Sequence, residues 1–221
     1  GYETMCRDYG VVPQRYHTDN GSAFTSKEFA DHLATFAQIV SFAGVGAHHS
    51  NGLVERAIRT IMSIARTMML HAAIHWPDVA DTTLWPMAVR YAVHIHNRMP
   101  RLDTGLSPLD TFGQSRWLLA GFQRFRVWGC PVYVLNKRLA DGHKIPKWQP
   151  RSERFLFMGF SDVHSTSAPL VLNPRTGHIG PACNLVCDDD FATIGTTEAD
   201  IPDVDTPEWR ELFGASVYQY D

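Results

Sequence analysis

The sequence has no CxxC pair and little cysteine of any kind. Cys6, Cys130, Cys183 and Cys187 are few for 221 residues, and their spacing suits neither a disulfide framework nor a zinc site. A reducing compartment is therefore expected. No run approaches the roughly 20 uninterrupted apolar residues that a membrane span needs. The N-terminus lacks the basic stretch and apolar stretch of an export signal, and no internal repeat is visible. The chain opens without Met, in "GYETMCRDYG", which reads as the end of a helix, so a piece of a longer polypeptide is expected. What it has in quantity is core-forming material: 44% apolar and 11% aromatic residues fill one large domain or two small ones.

A formal net charge of −3 argues at first against a polyanionic partner. The distribution argues otherwise. Residues 195–221 carry seven acids against Arg210 alone, a balance of −6, which leaves +3 for residues 1–194. Between Arg98 and Arg154 eleven Lys or Arg face four acids, giving +7 over 57 residues. A basic segment followed by an acidic tail is the pattern of a polyanion-binding surface joined to a solvated linker, although a basic stretch is often only a soluble face.

Hydrophobic periodicity divides the chain. "YGVVPQRYHT" reads as a short strand. "TSKEFADHLATFAQ" reads as a helix capped by Thr25 or Ser26, with Phe29, Leu33, Phe36 and Ala37 on one face. "IVSFAGVGA" is a second strand. A long helix follows in "HHSNGLVERAIRTIMSIARTMMLHA", capped by Ser50 or Asn51, with an apolar stripe at 54, 58, 61, 65, 68 and 69. The order strand, helix, strand, helix predicts an α/β layer. "TTLWPMAVRYAVHIHNRM" is another helix if Pro86 lies in its first turn. Residues 101–121 form a connector punctuated by Pro and Gly, which places a domain boundary after residue 100. From Phe122 to 194, short apolar runs separated by turns predict a small antiparallel barrel or sandwich. "NPRTG" is its strongest hairpin signal, with Pro174 pre-setting a turn and Gly177 supplying positive φ. Residues 195–221 read as an acidic linker or tail with a brief helical turn near "PEWRELFG".

Two acids stand out. Asp19, in "RYHTDNG", ends the first strand where α/β proteins place ligand-facing groups. The competing reading is an Asx-type turn in which it caps its own backbone. Glu55 sits in the first turns of the long helix, an ordinary place for a glutamate beside the helix dipole. Arg59 and Arg66 lie near it on the face opposite the apolar stripe, so carboxylate and arginines together suit a metal ion and a neighbouring phosphate. The i,i+4 pair His71/His75 has metal-ligand spacing. A helix surface is the preferred explanation, because no Glu lies between them as a zincin requires.

Thirty-five residues separate Asp19 from Glu55. At that spacing "HTDNGSAFTSKEF" and "HHSNGLVERAIRTIMSIARTMM" resemble the second-Asp and Glu blocks of the DDE integrases of retroviruses and LTR retrotransposons. "TGLSPLDTFGQ", "FRVWGCPVYVL", "KWQPRSERFLFMGF", "LVLNPRTGHI" and "DDDF" narrow the resemblance to copia-type elements (Pseudoviridae) and run in that family's order from about residue 13 to 191. The resemblance implies an α/β fold: an incomplete RNase H-like core over 1–100, then an SH3-like β-barrel over 122–194. It carries the catalytic and metal-binding carboxylates onto Asp19 and Glu55, with Mg²⁺ or Mn²⁺ as cofactor, since hard cations take oxygen ligands.

In the complete site two cations about 4 Å apart activate a nucleophile and stabilise a leaving oxygen at phosphorus, the chemistry of DNA 3′-end processing and strand transfer. The family's first Asp lies far upstream of the second, whereas only 18 residues precede Asp19 and Asp8 sits in an apparent helix end. The family's His-His-Cys-Cys zinc module has no counterpart. Weak metal binding and no activity from this chain alone are therefore expected, because a misplacement of about 1 Å can cost a factor of ~100. Candidate nucleic-acid contacts are Asn51, Arg56, Arg59, Arg66, Arg124, Arg126, Lys137, Arg138, Lys144 and Lys147. Trp128 and Trp148 either stack on bases or, the preferred reading, fill the barrel core. Implied partners are retroelement and target DNA, other integrase subunits in a homo-oligomer and the rest of the Pol polyprotein, with no membrane. The implied location is the nucleus, after assembly in cytoplasmic virus-like particles. A non-catalytic nucleic-acid- or protein-binding module derived from an integrase is the alternative. An unrelated RNase H-like nuclease would leave the downstream motifs unexplained.

Overall fold

The structure, a computed structural model, describes residues 2–44, 52–114, 124–161, 163–164, 168–195 and 206–214. The readings of Ser50, Asn51, the connector over 115–121 and most of the acidic tail lie outside them. The chain forms two compact units, Gly1–Thr60 with Asn97–Trp117, and Ile61–His96 with Leu118–Asp221. The division expected at residue 100 is cut across: Ile61–His96 groups with the chain after residue 117.

In the first unit α1 (Tyr2–Asp8) precedes β1 (Arg15–Thr18), α2 (Lys27–Thr35) and β2 (Ile39–Phe42). β1 and β2 pair in parallel, Arg15 with Ile39 through Thr18 with Phe42, so α2 is the crossover that parallel pairing requires. Ser26 caps α2, its hydroxyl accepting from Phe29 N at 3.2 Å. The helix stops earlier than its apolar spacing predicts. Ala37 takes φ 52°, Gln38 N donates to Leu33 O at 2.9 Å and Ala37 N to Ala34 O at 3.3 Å, a Schellman ending built on alanine. Phe36 is therefore not on the buried face but 58% exposed, and Leu33 alone of that helix is buried. Tyr16 meets Tyr2 and Phe29 edge to face at 6.0 Å each. α3 (Gly52–His75) begins in this unit, and its stripe is uncovered there: Val54 and Ile58 are exposed. Later in the chain, α5 (Pro108–Gly113) completes the unit. Ser107 and Asp110 form a buried reciprocal cap, Asp110 N donating to Ser107 Oγ at 3.1 Å and Ser107 N to Asp110 Oδ2 at 3.0 Å.

The second unit holds the main core. The rest of α3 and α4 (Trp85–Arg98, to His96) supply Ala65, Met69, Ala72, Ala73, Ala88, Tyr91 and Ala92. Asp81 caps the short turn before α4 by accepting from Thr83 N at 2.9 Å, and Pro86 falls in the first turn of α4 as expected. The helices share this core with an antiparallel sheet of β3 (Pro131–Leu135), β4 (Ser152–Phe160), β5 (Pro169–Leu172), β6 (Ile179–Pro181) and β7 (Leu185–Cys187), in the order β6-β5-β4-β3-β7. Alanines on the helices and two glycines permit close approach. A Cβ on Gly129, at φ 79°, would stand 2.7 Å from the Ala72 Cβ, and one on Gly159, at φ 111°, would stand 3.3 Å from the Tyr91 ring beside a register shift in β4. Trp76 Nε1 donates to Gly129 O at 2.9 Å. The Tyr91 hydroxyl donates to Arg126 O at 2.8 Å and accepts from Arg126 N at 3.0 Å, while burial pushes its ionisation well up. Trp128 and Phe157 are buried, each worth about 1.5–3 kcal/mol or more.

The predicted "NPRTG" turn is present: Gly177, at φ 70°, donates to Asn173 O at 2.9 Å and joins β5 to antiparallel β6. "FRVWGCPVYVL" is strand only from Pro131, because Cys130 N turns back to Val127 O at 3.1 Å. α6 (Lys137–Ala140), capped by Asn136, interrupts the β3–β4 connection, a four-residue helix too short to leave a periodic signal. α7 (Pro207–Gly214) is a helix of 8 residues, and its Trp209 packs against the core of this unit.

Candidate functional site

Asp19 directly follows β1, and Asn20 binds the end of β2 through Nδ2 to Ala43 O at 3.2 Å. The turn thus lies at the carboxyl ends of two parallel strands, the side on which open α/β sheets bind ligands. Asp19 Oδ1 also accepts from Gly21 N at 3.2 Å, so the Asx turn is real. That bond engages one lone pair of an exposed carboxylate and leaves it acceptor capacity. Glu55 occupies the first turn of α3, half-buried, in the same compact unit as Asp19. Among the described residues no group of three or more His, Cys, Asp or Glu is placed to hold one metal ion.

The basic candidates differ in their surroundings. Arg56 and Arg59 are exposed on the first-unit part of α3; Arg66 is exposed further along that helix. Lys137, Arg138, Lys144 and Lys147 are exposed on the β3–β4 connection. Among them Trp148 is 97% exposed, so it does not fill a core; Trp128, 2% exposed, does. Arg124 and Arg126 line a cavity of about 610 Å³ in the second unit with Phe157, Leu185, Cys183 and Cys187. Arg126 is not a free phosphate contact: its Nη1 pairs with Asp189 Oδ2 at 3.2 Å, and Asp189 Oδ1 also accepts from Val127 N at 2.9 Å.

Asp188 and Asp189 of the "DDDF" run are accordingly structural. Asp188 accepts from Thr193 N at 2.8 Å and Ala192 N at 3.2 Å, and its hydrogen bonds from Thr193 hold its carboxyl below the usual range. The loop presents buried Phe191, which stacks on His75 at 4.0 Å and meets His71 edge-on at 4.8 Å. His71 and His75 are therefore packing groups rather than a solvated helix surface, and burial lowers the pKa of both. Their partner lies more than a hundred residues away, beyond any local signal.

No protein-family model matches the chain. It is 28% identical over 183 residues to the retrovirus-related Pol polyprotein from transposon RE2 of Arabidopsis thaliana, covering 82% of this chain and 11% of that protein. It is 29% identical over 170 residues to the corresponding protein from transposon RE1 of the same plant, covering 74% and 10%. It is a homologue of copia-type Pol polyproteins. A third relative, the Pol polyprotein from transposon TNT 1-94 of Nicotiana tabacum, is 24% identical over 156 residues, with 71% of this chain covered. This Pol homologue spans about a tenth of the length of these curated relatives. A chain in the cryoEM structure of a simian T-cell lymphotropic virus intasome with PP2A regulatory subunit B56 gamma matches 84% of it at 16% identity. That match covers 61% of the solved chain, and its TM-score of 0.35 is too low to carry an argument.

Proposed function

We propose that this chain is part of the integrase region of a copia-type Pol polyprotein, contributing DNA contact and two carboxylates of a DNA-integration site. The observation that carries this reading is the local architecture around Asp19 and Glu55. One carboxylate ends a strand, the strand's parallel partner follows a crossover helix, and the other carboxylate opens the next long helix. The downstream sheet supports an SH3-like module, because its fifth strand returns to pair with its first, the connectivity that lets a short meander curl toward a barrel. DNA, further integrase subunits and the rest of a Pol polyprotein are the partners that follow from the reading.

The carboxylates fit Mg²⁺ or Mn²⁺ in kind, as hard oxygen donors, but not in number. We therefore assign no metal-dependent step to these 221 residues by themselves, and expect no strand transfer from them in Mn²⁺. Joining of a labelled DNA end by the purified chain would overturn that expectation. What its residues do is bind phosphate. Lys137, Arg138, Lys144 and Lys147 give about four phosphate contacts, for which affinity for a DNA duplex falls roughly 100-fold between 50 and 200 mM salt. Fluorescence anisotropy measures this, and affinity indifferent to salt would refute the phosphate contacts. Trp148 also favours a second reading, a non-catalytic nucleic-acid-binding module descended from an integrase, because an exposed indole among lysines is a stacking platform. On that reading Trp148→Ala weakens single-stranded binding by about 1–3 kcal/mol and leaves duplex binding nearly unchanged.

A further inference from the structure

Two cysteines of the second unit lie outside the residues used by the proposed function. Val132 of β3 pairs with Cys187, the last residue of β7, and Cys130 lies two residues before Val132 on the same face. Cys130 and Cys187 are therefore diagonal neighbours across the β3–β7 pair. Their access differs. Cys130 is completely buried, whereas Cys187 is half-buried and lines the cavity of about 610 Å³ together with Arg124 and Arg126. Arg126 lines the same cavity and is held by Asp189 at 3.2 Å, which keeps a cation near that sulfur. A thiol so placed ionises more readily than a buried one. Cys130, then Arg126, lower the Cys187 pKa against its burial, while Cys187 and burial push the Cys130 thiol up.

We propose that Cys130 and Cys187 are a redox-active dithiol, in which Cys187 is the thiolate that a peroxide reaches through the cavity and Cys130 is the thiol that resolves it. The Cys187 thiolate attacks one peroxide oxygen, the O–O bond breaks, and the departing hydroxide takes a proton to become water. Cys187 is then a sulfenic acid. The Cys130 sulfur displaces its hydroxyl group, forming the S–S bond while the Cys130 proton leaves with that hydroxyl as a second water. Each sulfur gives up one electron, and the peroxide takes both. The product fastens the last strand of the sheet to the start of its neighbour. Cys183, exposed on the same cavity, is an internal reference for simple accessibility.

The test is peptide mapping of the full chain after brief exposure to dilute hydrogen peroxide. The expected product is a Cys130–Cys187 linked peptide, reversed by dithiothreitol, with a rise in Tm of the oxidised chain. Cys183→Ser leaves that linkage intact and Cys187→Ser abolishes it. In Cys130→Ser, if it folds, dimedone traps a sulfenic acid at Cys187. With iodoacetamide at pH 7, Cys187 is alkylated faster than Cys183. Oxidation confined to Cys183, a linkage containing Cys183, or slower alkylation of Cys187 than of Cys183 in the folded wild-type chain would overturn the proposal.

Discussion

The two compact units use similar amphipathic segments and reach opposite outcomes. In the second, helix stripes and sheet share a core containing Met69, Tyr91, Trp128, Leu156 and Phe157. In the first, the buried apolar side chains among the described residues reduce to Cys6, Leu33 and Leu109, while Phe36, Ile39, Val54 and Ile58 remain exposed. A single helix makes the point, since the stripe of α3 is exposed at Val54 and Ile58 and buried at Ala65 and Met69. Periodicity records which face prefers cover; the cover itself is a property of tertiary packing. Stability should therefore reside in the second unit, with the first opening at lower free energy.

The largest expected difference comes from deleting one ring in each unit. Phe157→Ala should cost about 3–5 kcal/mol in urea unfolding. Tryptophan fluorescence reports it cleanly, because five of the six indoles lie in the second unit. An equal loss from a first-unit truncation would break the comparison. Gly129→Ala comes next, at roughly 2–3 kcal/mol, since it combines positive φ with a clash against Ala72. The same substitution at Gly105, whose φ is 64° but which has no neighbour within 4 Å, separates the backbone cost from the steric one.

A smaller effect is pH-dependent. Burial holds His71 and His75 below their unfolded pKa, so their neutral forms favour folding. That contribution is present above about pH 6.5, the unfolded value, and is lost as pH falls through it, because the unfolded chain takes up protons first. Urea midpoints at pH 8 and pH 5.5 should show the loss, and a His71→Gln/His75→Gln pair should flatten it. Smallest is Phe36→Ala, within about 0.5 kcal/mol by the same measurement, because the ring is already in water.

Local chemistry explains what could be read in advance. The β5–β6 turn is set within five residues by Asn173 and Gly177, and Pro86 falls in the first turn of α4, as its fixed φ permits. At Asp19 an Asx turn and a strand end occupy the same place, so its two readings do not exclude each other. The misses involve an atypical residue in a local ending or partners distant in sequence. Ala37 adopts a left-handed ending that glycine normally signals, so the end of α2 and the exposure of Phe36 were hidden. His71 and His75 meet a phenylalanine more than a hundred residues away, and Trp148 is indistinguishable by type from the buried Trp128. The placement of α4 with the downstream sheet depends on Ala88, Tyr91 and Gly159 fitting together, which no single segment announces.

Tyr91 gives that fit a further meaning. Its hydroxyl serves both the N–H and the C=O of Arg126, so one phenol oxygen stands in for a strand partner where the ladder has none. Phenylalanine would fill the same space yet leave two part-buried polar groups without that partner, so a single atom adds a polar tie to what volume already fits.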